Sequence, residues 1–305
     1  MQSNILLSVI IPHHNIPNLL TRCLYTIPVR DDIQIIVVDD KSEDCYLEDL
    51  KNIRHQFSYV DFIYLKENKG GGYARNVGLQ HAKGRYLLFA DADDFFTYGL
   101  YTVLDDYLKS DADVIFFDAI SQDSDTYKIS FRARHLNRMI RRYAKNTKES
   151  ERNLRYVFGE PWSKMVKRSI VEEYSIKFDE TNIHNDTKFS YLVGLYCKKM
   201  IVDQRAIYCV TTRQGSVSKV TSLDRMLTRT KVFGDANLFY KSHQINYFEE
   251  RALRPLMFFL YKGKLREYKM CKSILKSCGM SSWELFYRQI TYPFLLAKKI
   301  FLKYS

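Results

Sequence analysis

Five short apolar runs punctuate the first 120 residues: LLSVIIP (6–12), IQIIVVDD (33–40), VDFIYL (60–65), RYLLFAD (85–91) and ADVIFFD (112–118). Each is continuous rather than alternating and rich in Val, Ile and Phe, as expected for strands covered on both faces of a parallel sheet. Between them, segments near 17–27, 45–57, 71–82 and 97–109 read as helices. The order βαβαβαβ with right-handed crossovers predicts an α/β fold, an open and mostly parallel sheet flanked by helices.

Polar residues gather where these runs stop: His13, His14 and Asn15 after the first, Asp39 and Asp40 after the second, Asp91 and Asp93 after the fourth. Open α/β sheets bind ligands outside the carboxyl ends of their strands, and three such ends with side chains able to bond or ligate form a site pattern. Residues 120–160 turn irregular and basic (Arg132, Arg134, Arg138, Arg141, Arg142), after which EPWSKMVKRSIV resumes an apolar pattern. From about 222 the periodicity is helical, as in LLAKKIFLKY (295–304), and a domain boundary is expected near 220.

Composition narrows the class. Among 305 residues, 46% are hydrophobic and 27% charged, which describes a globular chain and not a disordered one. The six cysteines never form C-x-x-C, so zinc and disulfide frameworks are disfavoured and free thiols in a reducing compartment are expected. The opening NILLSVIIP lacks a basic flank and a small-residue cleavage site, and no apolar run approaches the roughly 20 residues of a membrane span. The expected location is cytoplasmic. Of the net charge of +12, residues 221–305 supply +10, with 16 Lys and Arg against 6 Asp and Glu. Such a basic end suits an anionic membrane surface or nucleic-acid phosphates.

The most concentrated chemistry is in YLLFADADDFF (86–96), where Asp91, Asp93 and Asp94 follow a buried strand. Carboxylates that close repel unless something positive lies between them. A pair at a strand end suits a hard divalent cation, Mg²⁺ or Mn²⁺, that completes its shell with water and substrate phosphates. The expected counter-charge is a metal plus a diphosphate, with an Asp-rich turn that caps the following helix as the alternative. An EF-hand is excluded: counting from Asp91 puts Phe96 at the glycine position and Thr102 at the bidentate-acid position. ENKGGGYARNVGLQHAKG (67–84) places three glycines before a helix, where backbone approaches an anion and free N–H groups meet it. It fits neither G-x-G-x-x-G nor G-K-[ST].

Taken in order, SVIIPHHN (8–15), VVDDKSED (37–44), NKGGGYARNVGL (68–79), GRYLLFADADD (84–94) and ND at 185–186 resemble the family 2 glycosyltransferases of the Rossmann-like GT-A fold. The resemblance covers roughly residues 6–220. It implies a nucleotide-sugar-binding half (1–95) and an acceptor-binding half (96–220); residues 221–305, read as a basic helical C-terminal domain from their charge and periodicity, carry no family signature.

The resemblance also implies roles. Asp40 matches the acceptor of a uracil N3–H, which favours a UDP-sugar, since cytosine offers an acceptor there. Pro12 and His14 match positions lining the base, where the family usually has tyrosine in place of His14. Arg75 lies beside the nucleotide, with an ion pair to Asp40 or Asp91 as the structural alternative. Asp91 and Asp93 match the D-x-D pair, the second acid ligating Mn²⁺ or Mg²⁺ and the first contacting ribose or the metal's water. Asp186 matches the general base of an inverting transfer, with Asn185 where the family commonly has Glu; an ordinary helix N-cap is its alternative. Trp162, in PWSKMVKR, is a candidate sugar-stacking residue or a core tryptophan. Arg213 and Ser216, in TTRQGSVSK, belong to a loop that closes over the donor diphosphate or simply links domains.

These implications predict an inverting, metal-dependent transferase that moves a sugar from a nucleotide sugar to a glycan or lipid-linked glycan. Docking of the basic C-terminal helices on the inner face of the membrane is expected with it. A non-catalytic sugar-nucleotide or glycan-binding protein on the same fold is the alternative. A nucleic-acid partner is not expected, because Asp40, Asp91 and Asp93 repel phosphates.

Overall fold

The computed structural model describes residues 5–213 and 222–304, with side chains through Phe294. The chain divides into two units, Met1–Thr181 with Asn185–Ser216, and Asn182–His184 with Val217–Ser305.

The first unit is built on an eight-stranded sheet. Its parallel half contains β1 (Leu7–His13), β2 (Ile33–Asp39), β3 (Val60–Tyr64) and β4 (Tyr86–Phe89), in the order β3-β2-β1-β4. The helices α1 (Pro17–Tyr25), α2 (Leu47–Gln56) and α3 (Gly71–His81) connect them. β1 and β4 are almost wholly buried, and Val9, Ile10, Ile11, Leu87, Leu88 and Phe89 have no exposed surface, the condition that their unbroken apolar runs require.

The sheet continues through β7 (Lys164–Lys167), β6 (Val114–Asp123), β8 (Met200–Thr212) and β5 (Phe95–Phe96). β7 runs antiparallel to both β4 and β6, β8 parallel to β6, and β5 antiparallel to β8. The second half is therefore mixed. The helices α4 (Gly99–Tyr107), α5 (Arg134–Tyr143), α6 (Lys148–Arg152), α7 (Arg168–Glu173) and α8 (Thr187–Tyr196) complete the unit. The basic stretch after residue 120 is ordered, with Leu136, Met139 and Ile140 of α5 buried and its arginines on other faces.

Two local devices bring the site together. At the ends of β1 and β2, buried His13 donates from Nδ1 to Asp39 Oδ1 at 2.8 Å and accepts at Nε2 from the Ile16 N–H at 3.2 Å, which fixes its tautomer. Asp39 also accepts from the Ser42 N–H at 3.0 Å and the Ser42 hydroxyl at 2.5 Å. At the start of α3, a Cβ on Gly72 would run into the Asp179 carbonyl and come within 3.0 Å of Asn185 Cβ. Only glycine lets the segment carrying Asn185 lie this close to the helix.

The second unit is helical: α9 (Leu223–Ser242), α10 (Arg254–Tyr261), α11 (Leu265–Ser277) and α12 (Ser282–Tyr304). Phe233, Leu253, Leu256, Cys271, Leu275 and Leu285 form its core. Trp283, Phe286, Tyr287, Ile290 and Phe294 of α12 are exposed at helical spacing, Trp283 to 74%. Among the described residues, no helix is long and apolar enough to cross a membrane.

Candidate active site

The acidic turn follows β4 directly and is closed by the Asp94 N–H donating to the Asp91 carbonyl at 3.0 Å. Carboxylate oxygens of Asp91, Asp93 and Asp94 lie within 4.8 Å of one another. The fold relieves their repulsion in three ways. Asp94 is buried and accepts from the Tyr208 hydroxyl at 3.0 Å and the Thr211 N–H at 2.7 Å. Desolvation, with Asp91 and Asp93 adding to it, pushes its carboxyl well above the usual range and favours the protonated form. Asp91 pairs with Arg75 Nη2, and Asp93 pairs with Arg213 Nε at 3.1 Å. Two guanidinium groups therefore serve as counter-charges to this turn, and the ion pair of Arg75 with Asp91 is one that the sequence offered as an alternative.

The opposite side of the parallel half holds the residues expected around a base. Both oxygens of buried Asp40 accept backbone N–H groups from the glycine-rich loop, Lys69 at 2.8 Å and Gly70 at 2.7 Å. His14 is exposed, with Nδ1 3.1 Å from the Asp40 carbonyl and Asn68 Nδ2 3.2 Å from its ring nitrogens. Pro12 is partly buried in β1 beside them. In this arrangement Asp40 anchors the loop, and a second lone pair on each carboxylate oxygen is what it has left for a ligand. Gly70 takes a φ of +87° and caps α3 without a side chain, leaving first-turn N–H groups for another acceptor.

Asp186 precedes α8 without capping it, since no side-chain cap bond forms. It is partly exposed, and burial together with the negative charge of Glu160 lifts its carboxyl to about 6, Arg75 acting against the rise. Nearby, Lys164 is fully buried; its ammonium donates to Ser190 Oγ at 2.9 Å and to the Phe158 carbonyl at 3.3 Å. Desolvation lowers it to about 8, while Glu160 and Asp186 pull it upward. Arg75 joins the two groups of acids: it holds Asp91 with Nη2 and Asn185 Oδ1 with Nη1 at 3.1 Å. The base candidate and the acidic turn are therefore tied through one buried guanidinium.

The Glycosyl transferase family 2 model matches residues 8–175, more than half the chain. The chain belongs to glycosyltransferase family 2. The family 2 chain is 27% identical over 233 residues to glycosyltransferase GlyA of Streptococcus pneumoniae, covering 70% of the chain and 32% of that protein. It thus spans about a third of this curated relative's length. The fold is shared with Staphylococcus aureus TarS 1–349 in complex with UDP-GlcNAc (17% identity, 89% and 91% of the two chains, TM-score 0.56). It is shared too with the mannosyltransferase PcManGT of Pyrobaculum calidifontis in complex with GDP-Man and Mn²⁺ (15%, 98% and 80%, TM-score 0.55).

For Trp162 of this family 2 chain, the packing separates the two readings that the sequence left open. Trp162 is 4% exposed and its ring stacks on Tyr208 at 5.2 Å, so the packing assigns it to the core rather than to a sugar-facing wall. There it backs the tyrosine that holds Asp94 and accepts the Asp91 N–H at 2.8 Å. Arg213 meets the acidic turn, whereas Ser216 lies outside the described residues. Arg22 was not foreseen: it donates to the Asp93 carbonyl at 2.5 Å and to Ser124 Oγ at 3.1 Å. Glu160, Lys164 and Tyr208 were likewise missed, because an apolar pattern around them reads as plain core.

The acidic turn fits a hard cation. Among the described residues, Asp91 Oδ2 and Asp93 Oδ1 have no protein partner, and both are oxygen donors of the kind Mg²⁺ and Mn²⁺ take.

Proposed function

We propose that this chain is an inverting, metal-dependent glycosyltransferase that moves a sugar from a nucleotide sugar, UDP-linked in our reading, to a hydroxyl of a glycan acceptor. The observation that carries the proposal is the fork of Arg75, which ties Asp91 to the segment bearing Asp186. Residues 1–95 then bind the donor, with Pro12, His14 and Asp40 around the base and Arg75 near the diphosphate, and residues 96–220 receive the acceptor.

Asp186 takes the acceptor hydroxyl proton on a carboxylate oxygen as that hydroxyl attacks the anomeric carbon. Attack from the face opposite the leaving diphosphate inverts the configuration. With a carboxyl near 6, Asp186 is ionised at neutral pH and still basic enough to accept a proton. Mn²⁺ or Mg²⁺, held by Asp91 and Asp93, would offset the charge developing on the diphosphate. Arg213 and the first-turn N–H groups of α3 hold the same anion. The two fold neighbours, one in complex with UDP-GlcNAc and the other with GDP-Man and Mn²⁺, support a nucleotide-sugar donor and a divalent cation. The second lone pairs of Asp40 support the choice of uracil.

The test is a thermal-shift panel of UDP-, GDP-, TDP- and CMP-sugars with and without Mn²⁺, followed by transfer assays. UDP-sugars are expected to give the largest stabilisation, and Asp93→Ala to remove its Mn²⁺-dependent part. Asp186→Asn is expected to lower turnover by about 10²–10⁴-fold while leaving donor binding intact. An Asp186→Asn variant with unchanged behaviour, in a chain that binds donor and never transfers it, would establish the non-catalytic alternative.

A further inference from the structure

Beside the second half of the sheet lies a groove of about 710 Å³ that the transfer chemistry above does not use. Its floor is the stretch Ala119–Gln122 of β6, beyond the part of that strand that pairs with β7. Asn137 of α5 closes the strand edge, donating to the Ala119 carbonyl at 2.7 Å and accepting its N–H at 3.0 Å. Ser121 fastens the far rim through its hydroxyl to the Ser130 carbonyl at 2.7 Å. β6 and α5 thus supply part of the lining, and the segment between them that carries Ile129 and Phe131 is tied to β6 at Ser121.

The lining is one-sided in charge. It includes Arg134, Arg138, Arg141, Arg142 and Lys145 and contains no carboxylate. Arg141 reaches buried Asp118 at 3.4 Å, but among the described residues Arg138, Arg142 and Lys145 have no acidic partner. Positions 134, 138, 141 and 145 recur at helical spacing, and like charges so placed on a helix repel one another. The rest of the lining includes apolar groups open to solvent, with Ile129 85% and Phe131 75% exposed and the Arg134 guanidinium 5.8 Å from the centre of the Phe131 ring. Cations beside exposed hydrophobic groups match a ligand with an anionic head and an alkyl tail.

We propose that this groove binds the phosphate-bearing lipid end of an amphiphilic acceptor, the phosphate on Arg138 and Arg142 and the alkyl chain against Ile129 and Phe131. The assignment names an acceptor class for the transfer proposed above and rests on that reading.

The experiment is a titration of the full-length chain with decyl diphosphate, with inorganic pyrophosphate as the head group alone, in the absence of any nucleotide sugar. Decyl diphosphate is expected to bind saturably. The double variant Arg138→Ala/Arg142→Ala is expected to weaken it by about tenfold or more, as loss of charge-assisted bonds requires. Ile129→Ser/Phe131→Ser is expected to weaken decyl diphosphate and leave pyrophosphate unchanged. Three of the four side chains are exposed and Arg138 is partly so, and unchanged circular-dichroism melts and unchanged thermal shifts with UDP-sugars will show that folding and the donor site are intact. Equal binding of both probes, unaffected by Ile129→Ser/Phe131→Ser, would overturn the lipid assignment in favour of a free-phosphate site. Arginine variants that bind decyl diphosphate as the parent does would overturn the groove altogether. Because no donor is present, groove binding that persists when UDP-sugars fail to bind leaves this site standing and removes only the transferase reading.

Discussion

At Asp186 the surroundings set the chemistry, for burial and the carboxylate of Glu160 hold its proton to about 6. A general base works only when ionised, so transfer is expected to rise with pH through about 6. Glu160→Gln removes the like charge, lowers the carboxyl of Asp186 and should move that acid limb to lower pH. Initial rates across an acid-to-neutral series measure the shift, and a limb that stays in place would separate Glu160 from the base. Part of this site could be read from residues alone: Asp91, Asp93 and Asp186 are acids at strand or helix ends, and Arg75 follows a glycine run. Glu160 and Tyr208 could not, because what makes them matter is the contact each makes across the fold and not a local pattern.

Helix α3 shows how an element positions a site. Its second residue, Gly72, lies against Asp179 and Asn185, while Gly70, just before it, has open space around the missing Cβ but a φ of +87°. The two alanine variants therefore separate steric from backbone effects. Gly72→Ala should destabilise the chain by about 1–3 kcal/mol through overpacking and also lower turnover, since Asn185 must move. Gly70→Ala should cost about 1–3 kcal/mol through backbone strain, because its φ of +87° and ψ of +164° lie in a region open essentially to glycine alone. Urea titrations and transfer assays on the same preparations distinguish them. Elements β1 to β4 and α1 to α4 were legible because each apolar run or amphipathic stretch is continuous. β5 has two residues, β7 four, and β8 is interrupted by Asp203, Gln204 and Arg205 near a register shift against β6. Such strands exist only because partners wait for them.

On the scale of the whole molecule, the sheet is mostly parallel as its apolar runs predict, and that same dependence accounts for β7, which enters antiparallel between β4 and β6. The helical character of the C-terminal segment was legible from its periodicity, whereas the solvent-facing stripe of α12 depends on which face α9 to α11 leave uncovered. An exposed aromatic stripe in a segment carrying +10 of net charge is suited to an anionic interface. Of the chain's two tryptophans, Trp162 is buried and Trp283 exposed. Emission is therefore expected to shift to the blue when phosphatidylglycerol vesicles are added, and not with phosphatidylcholine vesicles. Flotation that shows no preference between the two would remove the membrane partner.

The pairing of Asp91 with Arg75 and of Asp93 with Arg213 has a consequence for the order of events. A cation arriving alone must compete with two guanidinium groups that hold the acids. One arriving with an anionic nucleotide gives those groups a new partner as they let go, so each newcomer eases the entry of the other. The resting protein is self-screened, so Mn²⁺ should bind more tightly once an anionic nucleotide is present, and calorimetry with and without UDP would measure the difference.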